Sequence, residues 1–447
     1  MVIVGLGSNI DDRLTHLRKA WRAIKKIPGF QIIATSPIYL SDALLPEHAP
    51  KTWDRPYLNL ALRGETTLDA FSLLNHLKRI EEEIGRKPEK RHWGPRIIDI
   101  DILVFGDEVI KTDALTVPHQ NLYDRPFALW PLADVAPFWK IPLTGEYHGN
   151  IASALVEKWG SRFTGDAPLH TRQIYHRIDT PQLVGVLNVT PDSFSDGGKF
   201  LSAEHAIQQA QTLIQSGAEI LDIGAQSTAP NAPSLDSETE WNRLEPVLLA
   251  LKENKNNFII QPKISIDTYH PQVAEKAFDL GMIDMLNDVT GLTNPHLCDF
   301  IRNTPIDAIF MHHVSIPADA KKVLSRDQDV INLVYEWAAK QLDWLKRQGI
   351  EQEKLIFDPG IGFGKTKEQS LMLIKHAARF KELGTRLLIG HSRKSFLSLL
   401  TPYEAADRDI ETLILTIELV KQEAIDYLRV HHVEKNARAL RVTRAML

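Results

Sequence analysis

Residues 354–366 read KLIFDPGIGFGKT, a short apolar run followed by three glycines and a Lys-Thr pair. A Walker phosphate-binding loop has a glycine, four further residues and then Gly-Lys-Ser/Thr. If Gly364 and Lys365 ended that pattern, its first glycine would stand where the chain has Pro359, so this loop is not a P-loop. The apolar run instead predicts a short buried strand that ends at Asp358. An acidic residue at the end of a buried strand then requires an explanation.

Runs like KLIFDP recur through the second half of the chain, and helical segments lie between most of them. In order, the eight runs are LVGVLNV (183–189), EILDIGA (219–225), KISIDT (263–268), DMLNDV (284–289), AIFMHH (308–313), KLIFDP (354–359), LLIGHS (387–392) and YLRVHH (427–432). Eight buried strands with helical crossovers are typical of a (β/α)8 TIM barrel. A doubly wound open sheet is the main alternative, and the number of strands favours the barrel.

Each of these runs ends in polar or charged residues. They are Asn188, Asp222, Asp267, Asn287, His312, Asp358, Ser392 with Arg393, and Arg429 with His431. One such residue alone is more often a cap or a local turn partner. In a barrel, however, the carboxyl ends of all strands meet at one mouth, where the active site lies. Eight polar strand ends together therefore favour a functional site.

The composition is that of a folded soluble protein, with 43% hydrophobic and 24% charged residues. A chain of 447 residues exceeds one ordinary core, so we expect two or more domains. The net charge of −5 gives no basic surplus for binding nucleic acid, and no apolar stretch reaches the length of a membrane span. The single cysteine, Cys298, excludes internal disulfides, and the N-terminus MVIVGLGSNI predicts a strand rather than a signal peptide. We therefore expect a cytoplasmic protein.

The first half of the chain alternates strands and helices less regularly, and a polar stretch without a clear period follows it. We therefore predict an N-terminal domain at 1–145, a linker at 146–180 and a C-terminal domain at 181–447. The early VGLGSNI is not a dinucleotide-binding fingerprint, because Ile10 stands where the third glycine would be.

The most informative strand of the first half is RIIDIDILVF (96–105). Asp99 and Asp101 are two residues apart on it, so both carboxylates point to the same face. Adjacent carboxylates that face phosphates are a common way to hold Mg²⁺. The spacing alone fits a plain amphipathic strand with a solvated acidic face slightly better.

Four motifs of the second half occur together and in order. They are LNVTPDSFSDGGKF (187–200), DPGIGFGK (358–365), GHSRKSF (390–396) and RVHHV (429–433). With these motifs, most of residues 183–447 resembles dihydropteroate synthase. That family is a TIM barrel that joins p-aminobenzoate to the pyrophosphate ester of 6-hydroxymethyl-dihydropterin and releases pyrophosphate.

The resemblance implies a role for each matching residue. The pterin would be bound by Asp267, Asn287, Asp358 and Lys394, because carboxylates and amides pair with the donors and acceptors of an amino-pyrimidinone edge. The pyrophosphate would be bound by Asn188, Arg393, Arg429 and His431, with Asn188 also holding one Mg²⁺. The aminobenzoate side would be formed by Phe194, Thr228, Pro230, Phe363 and Ser392. Asp196 and Lys394 would be catalytic, with Asp196 stabilising a pterin cation. The glycines of 360–364 would let the backbone pass close to the substrate.

Two departures from the family pattern concern the aminobenzoate side. The chain has STAP (227–230), with Ala229 in place of an arginine, and MHHVSIPADA (311–320) in place of a Met-His-Met pattern. Two alternatives therefore stay open. The barrel could bind pterin without the aminobenzoate step, or it could be a pterin-binding scaffold or methyl-transfer domain. The latter would not need a pyrophosphate site.

A second set of motifs runs through the first half. They are GLGSN (5–9), YLNLA (57–61), RIEEEIGR (79–86), WGPRIIDIDILVFG (93–106), LTVPH (115–119) and RPFALWPL (125–132). With them, residues 1–142 resemble hydroxymethyl-dihydropterin pyrophosphokinase. That family has a ferredoxin-like α+β fold and transfers the terminal diphosphate of ATP to the pterin hydroxymethyl group, leaving AMP.

This resemblance assigns a second group of residues. Asp99 and Asp101 would hold two Mg²⁺ ions with ATP, and Arg96 would be catalytic beside them. The nucleotide would be contacted by Glu81, Arg86, Trp93 and His119, and the pterin by Tyr57, Asn59 and Phe127. The stretch SDALLPEHAPKTWD (41–54) is longer than the family pattern leads us to expect.

The two resemblances support each other, because the product of the first reaction is the substrate of the second. We therefore predict a bifunctional transferase of folate biosynthesis. Its partners would be small molecules: ATP, the pterin and its diphosphate, and p-aminobenzoate. The resemblance also implies a homodimer formed through the barrel.

Overall fold

The computed structural model describes residues 1–86, 94–142, 147–189, 199–226, 234–316, 319 and 321–446, with the backbone alone at 199–202. The chain divides into two compact units, Met1–Asp179 and Thr180–Leu447. Within the described ranges, no helix is both long and apolar enough to cross a bilayer.

The first unit is built around an antiparallel sheet. Its strands are β1 (Val2–Ser8), β2 (Phe30–Thr35), β3 (Tyr39–Ser41), β4 (Tyr57–Thr66), β5 (Asp99–Phe105), β6 (Ile110–Lys111), β7 (Thr116–Val117) and β8 (Arg172–Gln173), and its helices are α1 (Arg13–Ile24), α2 (Ala70–Ile84), α3 (Pro126–Val135) and α4 (Ala152–Leu155). Six strands form one sheet in the order β5-β1-β4-β3-β8, with β2 also paired to β4, and β6 and β7 form a separate hairpin. The path β1-α1-β2-β4-α2-β5 is the ferredoxin-like α+β arrangement, so that prediction is confirmed.

Helices bury the central strand of this sheet on both faces. Val2, Ile3 and Val4 of β1 are completely buried. Ile3 belongs to the apolar cluster that includes Trp130 of α3, and α1 and α2 pack against each other and against β1 and β5. The helix ends have local causes, since Asp69 caps the first turn of α2 and Gly85 ends that helix with φ 116°.

The stretch that we treated as a linker contributes to the first unit. Its described residues from 147 to 179 lie in that unit, and β8 pairs with β3. Its buried side chains include Ala152, Val156, Ala167, Ile174 and Ile178. They follow neither a helix nor a strand period, so only the tertiary contacts distinguish this stretch from a solvated connection.

The second unit alternates parallel strands and helices. Its strands are β9 (Gln182–Asn188), β10 (Ala218–Gly224), β11 (Lys263–Asp267), β12 (Met285–Asp288), β13 (Asp307–Met311), β14 (Leu355–Asp358), β15 (Arg386–Ile389) and β16 (Tyr427–Val430). Its helices are α5 (Lys199–Gln215), α6 (Ser237–Glu253), α7 (Pro271–Asp279), α8 (Pro295–Asn303), α9 (Val330–Arg347), α10 (Lys367–Lys375), α11 (Asp409–Lys421) and α12 (Val433–Met446). The barrel closes because β16 pairs in parallel with β9, which confirms the TIM barrel and excludes the open sheet.

Inward-facing side chains form layers along the barrel. At the amino ends of the strands, Arg386 makes two hydrogen bonds to the Asp307 carboxylate, of 2.7 and 2.8 Å. An apolar layer follows, made of Val184, Ile220, Met285, Ile309, Ile356, Leu388 and Tyr427. Two residues further along their strands, on the same inner face, come Asp222, Asn287, Asp358 and Arg429. The alternation of a strand therefore brings polar residues from distant parts of the chain to one mouth.

Candidate active sites

A cavity of about 420 Å³ lies in the first unit between β1, β4, β5 and the loop after β3. Seven residues predicted from the sequence line it: Tyr57, Asn59, Arg96, Asp99, Asp101, His119 and Phe127. Glu81 and Arg86 do not line it, and Trp93 lies outside the described residues. The cavity thus brings together side chains from β4, β5 and α3 that are far apart in the sequence.

The paired aspartates of β5 have different electrostatic surroundings. Asp99 accepts hydrogen bonds from Arg86 Nη1 at 2.7 Å and from Arg96 Nη1 at 2.6 Å. Burial alone would raise the pKa of Asp99, but Arg96 and Arg86 outweigh it and lower that pKa. Burial and then the charge of Asp99 raise the pKa of Asp101, and Lys78 Nζ lies 3.7 Å from its carboxylate.

Glu81 lies behind these aspartates. Its side chain is 3% exposed, and Oε1 accepts from the Ile100 N–H at 2.6 Å and from Lys78 Nζ at 3.0 Å. Arg86 Nη1 lies 2.5 Å from the same oxygen. Burial raises the pKa of Glu81, while Lys78 and Arg86 oppose that shift. Oε1 of Glu81 is therefore shared by three protein donors, and it holds two cations beside Asp99 and Asp101.

Residues of the long loop after β3 also line the cavity. They are Asp42, Ala43, Leu44, Leu45 and Trp53. The sequence showed only that this stretch is unusually long, and it assigned no residue there to a site. Ala43, Leu44, Leu45 and Trp53 join Tyr57 and Phe127 in an apolar and aromatic part of the lining, which suits a flat heterocycle.

The donor set of the cavity fits a hard cation bound together with a phosphate. Among the described residues, no three His, Cys, Asp or Glu side chains form a complete metal cage. Asp99 and Asp101 lie on one face of β5 and both line the cavity. Mg²⁺ commonly takes one or two carboxylates and completes its shell with water and substrate phosphate, so two carboxylates suffice.

At the barrel mouth, one arginine joins two acidic strand ends. Arg429 Nε donates to Asp222 at 2.6 Å, and its Nη2 donates to Asp267 at 3.1 Å. Ser265 Oγ also donates to Asp222 at 2.6 Å, and Asn287 Nδ2 lies 3.2 and 3.3 Å from its two oxygens. Asp222 thus bonds directly to Asn287, one of the four predicted pterin residues, and to the predicted pyrophosphate arginine, which also holds Asp267. The sequence placed it at a strand end but assigned it no role.

The ionisable groups at the mouth have strongly shifted pKa values. Burial, and then the charge of Asp222, raise the pKa of Asp267 to about 7, although Arg429 opposes this. Burial also raises the pKa of Asp358, with Lys394 opposing it. Burial lowers the pKa of Lys394 to about 8. Pairs of groups perturbed in this way cluster at functional sites.

The glycine-rich loop of 358–366 is held by a buried lysine. Lys365 Nζ lies 2.7 Å from His312 Nδ1, 2.9 Å from the His312 carbonyl oxygen and 2.8 Å from the Gly360 carbonyl oxygen. The Gly360 N–H in turn donates to Asp358 at 2.7 Å. A Cβ on Gly360 would lie 1.9 Å from the His312 oxygen, so this glycine allows a close approach to the end of β13. We expected the glycines to let the backbone approach the substrate. At position 360, however, the close contact with the His312 oxygen already requires a glycine.

Lys394 connects the loop to the neighbouring strand end. Its Nζ donates to the Ile361 carbonyl oxygen at 2.5 Å and lies 5.0 Å from the centre of the Phe363 ring. Gly390 lies close to both Lys394 and Asp358. A Cβ at this glycine would be 3.8 Å from Lys394 Nζ and 4.0 Å from Asp358 Oδ2. Phe363, Lys394 and Asp358 are thus gathered at one side of the mouth.

The residues expected to bind pyrophosphate are only partly assembled. His431 Nδ1 lies 3.1 Å from Ser392 Oγ, and burial followed by the charge of Arg429 lowers the pKa of His431 to about 4. Asn188 is exposed at the end of β9. Arg393 instead makes hydrogen bonds of 2.8 and 3.1 Å to Asp409. Four other residues predicted for this unit, Phe194, Asp196, Thr228 and Pro230, lie outside the described residues, as does Ala229.

Comparisons with known proteins separate the same two parts of the chain. Residues 3–137 match the family model of 7,8-dihydro-6-hydroxymethylpterin-pyrophosphokinase, and residues 184–431 match that of pterin binding enzymes. A folate synthesis bifunctional protein of Chlamydia muridarum is 39% identical, and the alignment covers 98% of this chain and 96% of the relative.

Solved structures resemble the barrel half. Dihydropteroate synthase from Anaplasma phagocytophilum, with bound 6-hydroxymethylpterin-monophosphate, is 34% identical with a TM-score of 0.54, covering 60% of this chain and all of that chain. The Xanthomonas albilineans dihydropteroate synthase with 4-aminobenzoic acid is 32% identical with a TM-score of 0.54, covering 60% of this chain and 93% of that chain.

Both resemblances inferred from sequence motifs are thereby confirmed, and in the same order along the chain. The full-length relative carries both parts, which argues against a methyl-transfer domain in the second half. This chain therefore belongs to the folate synthesis bifunctional proteins, transferases that pyrophosphorylate 6-hydroxymethyl-7,8-dihydropterin and use the product to form dihydropteroate.

Proposed function

We propose that the cavity of the first unit is the pyrophosphokinase site and that the barrel mouth is the synthase site. The observation that carries this proposal is that residues far apart in the sequence meet at two places in the structure. Seven residues chosen from sequence motifs line one cavity, and Asp222, Asp267, Asn287 and Arg429 join through hydrogen bonds at one barrel mouth.

In the kinase site, Asp99 and Asp101 would hold two Mg²⁺ ions together with ATP. When bound, these ions neutralise phosphate charge and orient the diphosphate for in-line transfer. Arg86 and Arg96 keep Asp99 ionised, and their planar guanidinium groups can also donate to phosphate oxygens. His119 and Trp93 would contact the nucleotide.

Glu81 has a different role from the one that the motif implied. Because its carboxylate is buried and bound to Ile100, Lys78 and Arg86, we assign it to positioning these cations rather than to contacting the nucleotide. The pterin would lie between Tyr57, Asn59 and Phe127, with its hydroxymethyl group toward Asp101.

In the synthase site, Asp267, Asn287, Asp358 and Lys394 would bind the pterin diphosphate through its ring. Arg429, His431, Arg393 and Asn188 would bind the diphosphate, with one Mg²⁺ at Asn188. For Arg393 this requires release from Asp409. The C–O bond to pyrophosphate breaks, the aniline nitrogen forms the new C–N bond, and that nitrogen loses a proton.

Positive charge beside the departing diphosphate would supply most of the rate enhancement at this site. Phe363 and Ser392, with Phe194, Thr228 and Pro230, would form the aminobenzoate side, and Asp196 would stabilise the pterin cation. Phe363 and Ser392 belong to the loop and strand end that Lys394 and His431 contact.

The homodimer expected through the barrel would use apolar side chains of α11 and α12, two helices that pack against each other. Ile410 and Ile414 of α11 are 69% and 55% exposed, and Val442 and Met446 of α12 are 64% and 82% exposed. Exposed apolar patches of this kind mark interaction surfaces. Sedimentation of wild type and Ile414→Asp should give a dimer and a monomer, and a monomeric wild type would contradict the proposal.

An end-product assay tests the two site assignments. The intact chain is mixed with ATP, Mg²⁺, 6-hydroxymethyl-dihydropterin and p-aminobenzoate, and AMP and dihydropteroate are quantified. Both products are expected. AMP without dihydropteroate would contradict the synthase assignment. Dihydropteroate formed only from supplied pterin diphosphate, without AMP from ATP, would contradict the kinase assignment.

A further inference from the structure

The stretch between the two family matches makes direct contacts with the wall of the kinase cavity. Neither match includes residues 138–183. Within that stretch, β8 pairs with β3, with Gln173 opposite Tyr39 and Arg172 opposite Leu40. On its other side β3 pairs with β4, where Ser41 is opposite Tyr57. The stretch is therefore paired directly with β3, whose Ser41 lines the cavity, and is one strand away from Tyr57 of β4, which also lines it.

The turn before β8 reaches the cavity wall itself. The Asp42 N–H donates to the Leu169 carbonyl oxygen at 2.8 Å, and Asp42 Oδ2 lies 2.6 Å from His170 Nδ1. Asp42 and the three residues after it, Ala43, Leu44 and Leu45, line the cavity. Both a backbone hydrogen bond and a side-chain hydrogen bond thus hold the residue from which this wall begins.

The conformation of this turn is itself costly and is stabilised by tertiary contacts. Leu169 and His170 both have left-handed backbones, with φ of 58° and 45°. For residues with a side chain this conformation is unfavourable, and it persists where the surroundings hold it. Thr171, which is completely buried, donates from Oγ1 to the Pro168 carbonyl oxygen at 2.7 Å and closes the turn.

Further contacts attach both ends of the turn to the sheet. The Gln173 N–H donates to the Arg162 carbonyl oxygen at 2.6 Å, and the Ile174 N–H donates to Ile38 at 3.0 Å. The Arg162 guanidinium pairs with Asp134, which accepts a 2.7 Å hydrogen bond from the Tyr39 hydroxyl. The turn is therefore anchored independently of Asp42.

We propose that the turn of residues 165–171 is a positioning element of the kinase site, which holds the wall of residues 42–45 in place for the pterin. This inference rests on the proposed placement of the pterin in the cavity. His170 and Thr171 are positioning residues in it, since neither is among the residues that line the cavity. A kinase half that ended at the family match would accordingly have an incompletely supported pterin wall.

The test uses the full chain and steady-state kinetics of AMP formation. Thr171→Val removes the hydroxyl that closes the turn with little change in volume, and His170→Ala removes the pair with Asp42. Because the contact between His170 and Asp42 is an exposed side-chain hydrogen bond, His170→Ala should raise the KM for the pterin only roughly two- to fivefold. Thr171→Val should raise it roughly three- to tenfold. In both variants, kcat and the KM for ATP should change less than about twofold.

Matched variants separate positioning from general stability. Thr171→Ser keeps the hydroxyl and should restore the pterin KM. His148→Ala removes an exposed histidine of the same stretch and should behave as wild type. In an Asp42→Ala background, His170→Ala should have no further effect, because the pair is already absent.

Two results would overturn the proposal while leaving the kinase assignment intact. The first is a wild-type pterin KM in both Thr171→Val and His170→Ala. The second is an equal rise in the KM for ATP and for pterin, which would indicate a general loss of structure. A wild-type protein that forms no AMP would instead contradict the proposed function.

Discussion

The kinase cavity and the barrel mouth both place two carboxylates beside arginines, but they assemble them from very different parts of the chain. In the cavity, Asp99 pairs with Arg96 and Arg86, which are 3 and 13 residues away. In the barrel, Arg429 pairs with Asp222 and Asp267, which are 207 and 162 residues away. The first arrangement is largely local, and the second exists only in the closed barrel.

The two arrangements also differ in solvent exposure. The side chains of Asp99 and Asp101 are 22% and 39% exposed, whereas that of Asp222 is completely buried. A buried carboxylate without a partner is strongly destabilising, while a partly exposed one remains hydrated. We infer that the barrel charges stabilise the fold as well as bind substrate, and that the cavity charges act chiefly in catalysis.

The largest effect is expected from Arg429→Met. It leaves the completely buried Asp222, and Asp267 beside it, without their arginine partner, so the barrel should lose about 3–5 kcal/mol of its free energy of unfolding. Synthase activity should fall below detection, and AMP formation should persist. Urea unfolding of the intact chain, with the kinase rate as an internal reference, checks both parts. An unchanged barrel transition would show that the exposure difference does not matter for stability.

Asp101→Asn tests the other side of the comparison. It removes a charged ligand from the proposed Mg²⁺ site, so AMP formation should fall roughly thousandfold, or about 4 kcal/mol in the activation barrier. The unfolding free energy should change by less than about 1 kcal/mol, because the group is partly exposed. Asp107→Asn, an exposed aspartate soon after β5, is the control. Comparable losses of stability in Asp101→Asn and Arg429→Met would show that the charges of the cavity and of the barrel mouth do not differ in their contribution to the fold.

A smaller effect is expected at Glu240, a buried acid of the barrel unit. Thr268 Oγ1 donates to it at 2.9 Å, and burial raises its pKa from the ordinary 4.5 to about 7. Between these values the folded state keeps a proton that the unfolded state releases. The free energy of unfolding should therefore fall as pH rises through this window, by at most about 3 kcal/mol.

Glu240→Gln cannot ionise, so its stability relative to wild type should increase between pH 5 and pH 8. Urea unfolding at both pH values measures that difference. Glu238→Gln changes an exposed acid of the same helix and should show no such trend. A pH-independent difference between Glu240→Gln and wild type would show that this carboxyl does not hold a proton in the folded barrel.

Local patterns predicted much of the molecule because the relevant contacts are local or periodic. The two-residue spacing of Asp99 and Asp101 places both on one face of a strand wherever that strand lies. The repeated strand ends of the second half similarly predicted which residues would meet once a barrel formed. Asp222 was visible in that pattern, but its role depends on Arg429, which is more than 200 residues away.

Other features left no periodic signal. The sequence assigned both Glu81 and Arg86 to nucleotide contact. In the structure Glu81 is buried beneath β5, and Arg86 donates a hydrogen bond to Asp99. Lys365 follows a glycine in a loop that lacks the Walker spacing, and the sequence assigned it no partner; its three contacts in the structure come from two separate segments. The same holds for the stretch of 147–179, whose irregular apolar residues are buried by tertiary contacts that include helix α3.

By itself, the sequence determined the two families, the order of the two reactions and both fold classes, and it named most of the residues that we propose for the sites. It could do so because motif spacing and strand alternation are read without knowledge of long-range contacts. Only the tertiary structure decided which charges are paired, which carboxylates are buried and which segment contacts the wall of the cavity in the first unit. Those properties depend on desolvation and on distances between residues far apart in the chain, and no local pattern encodes either one.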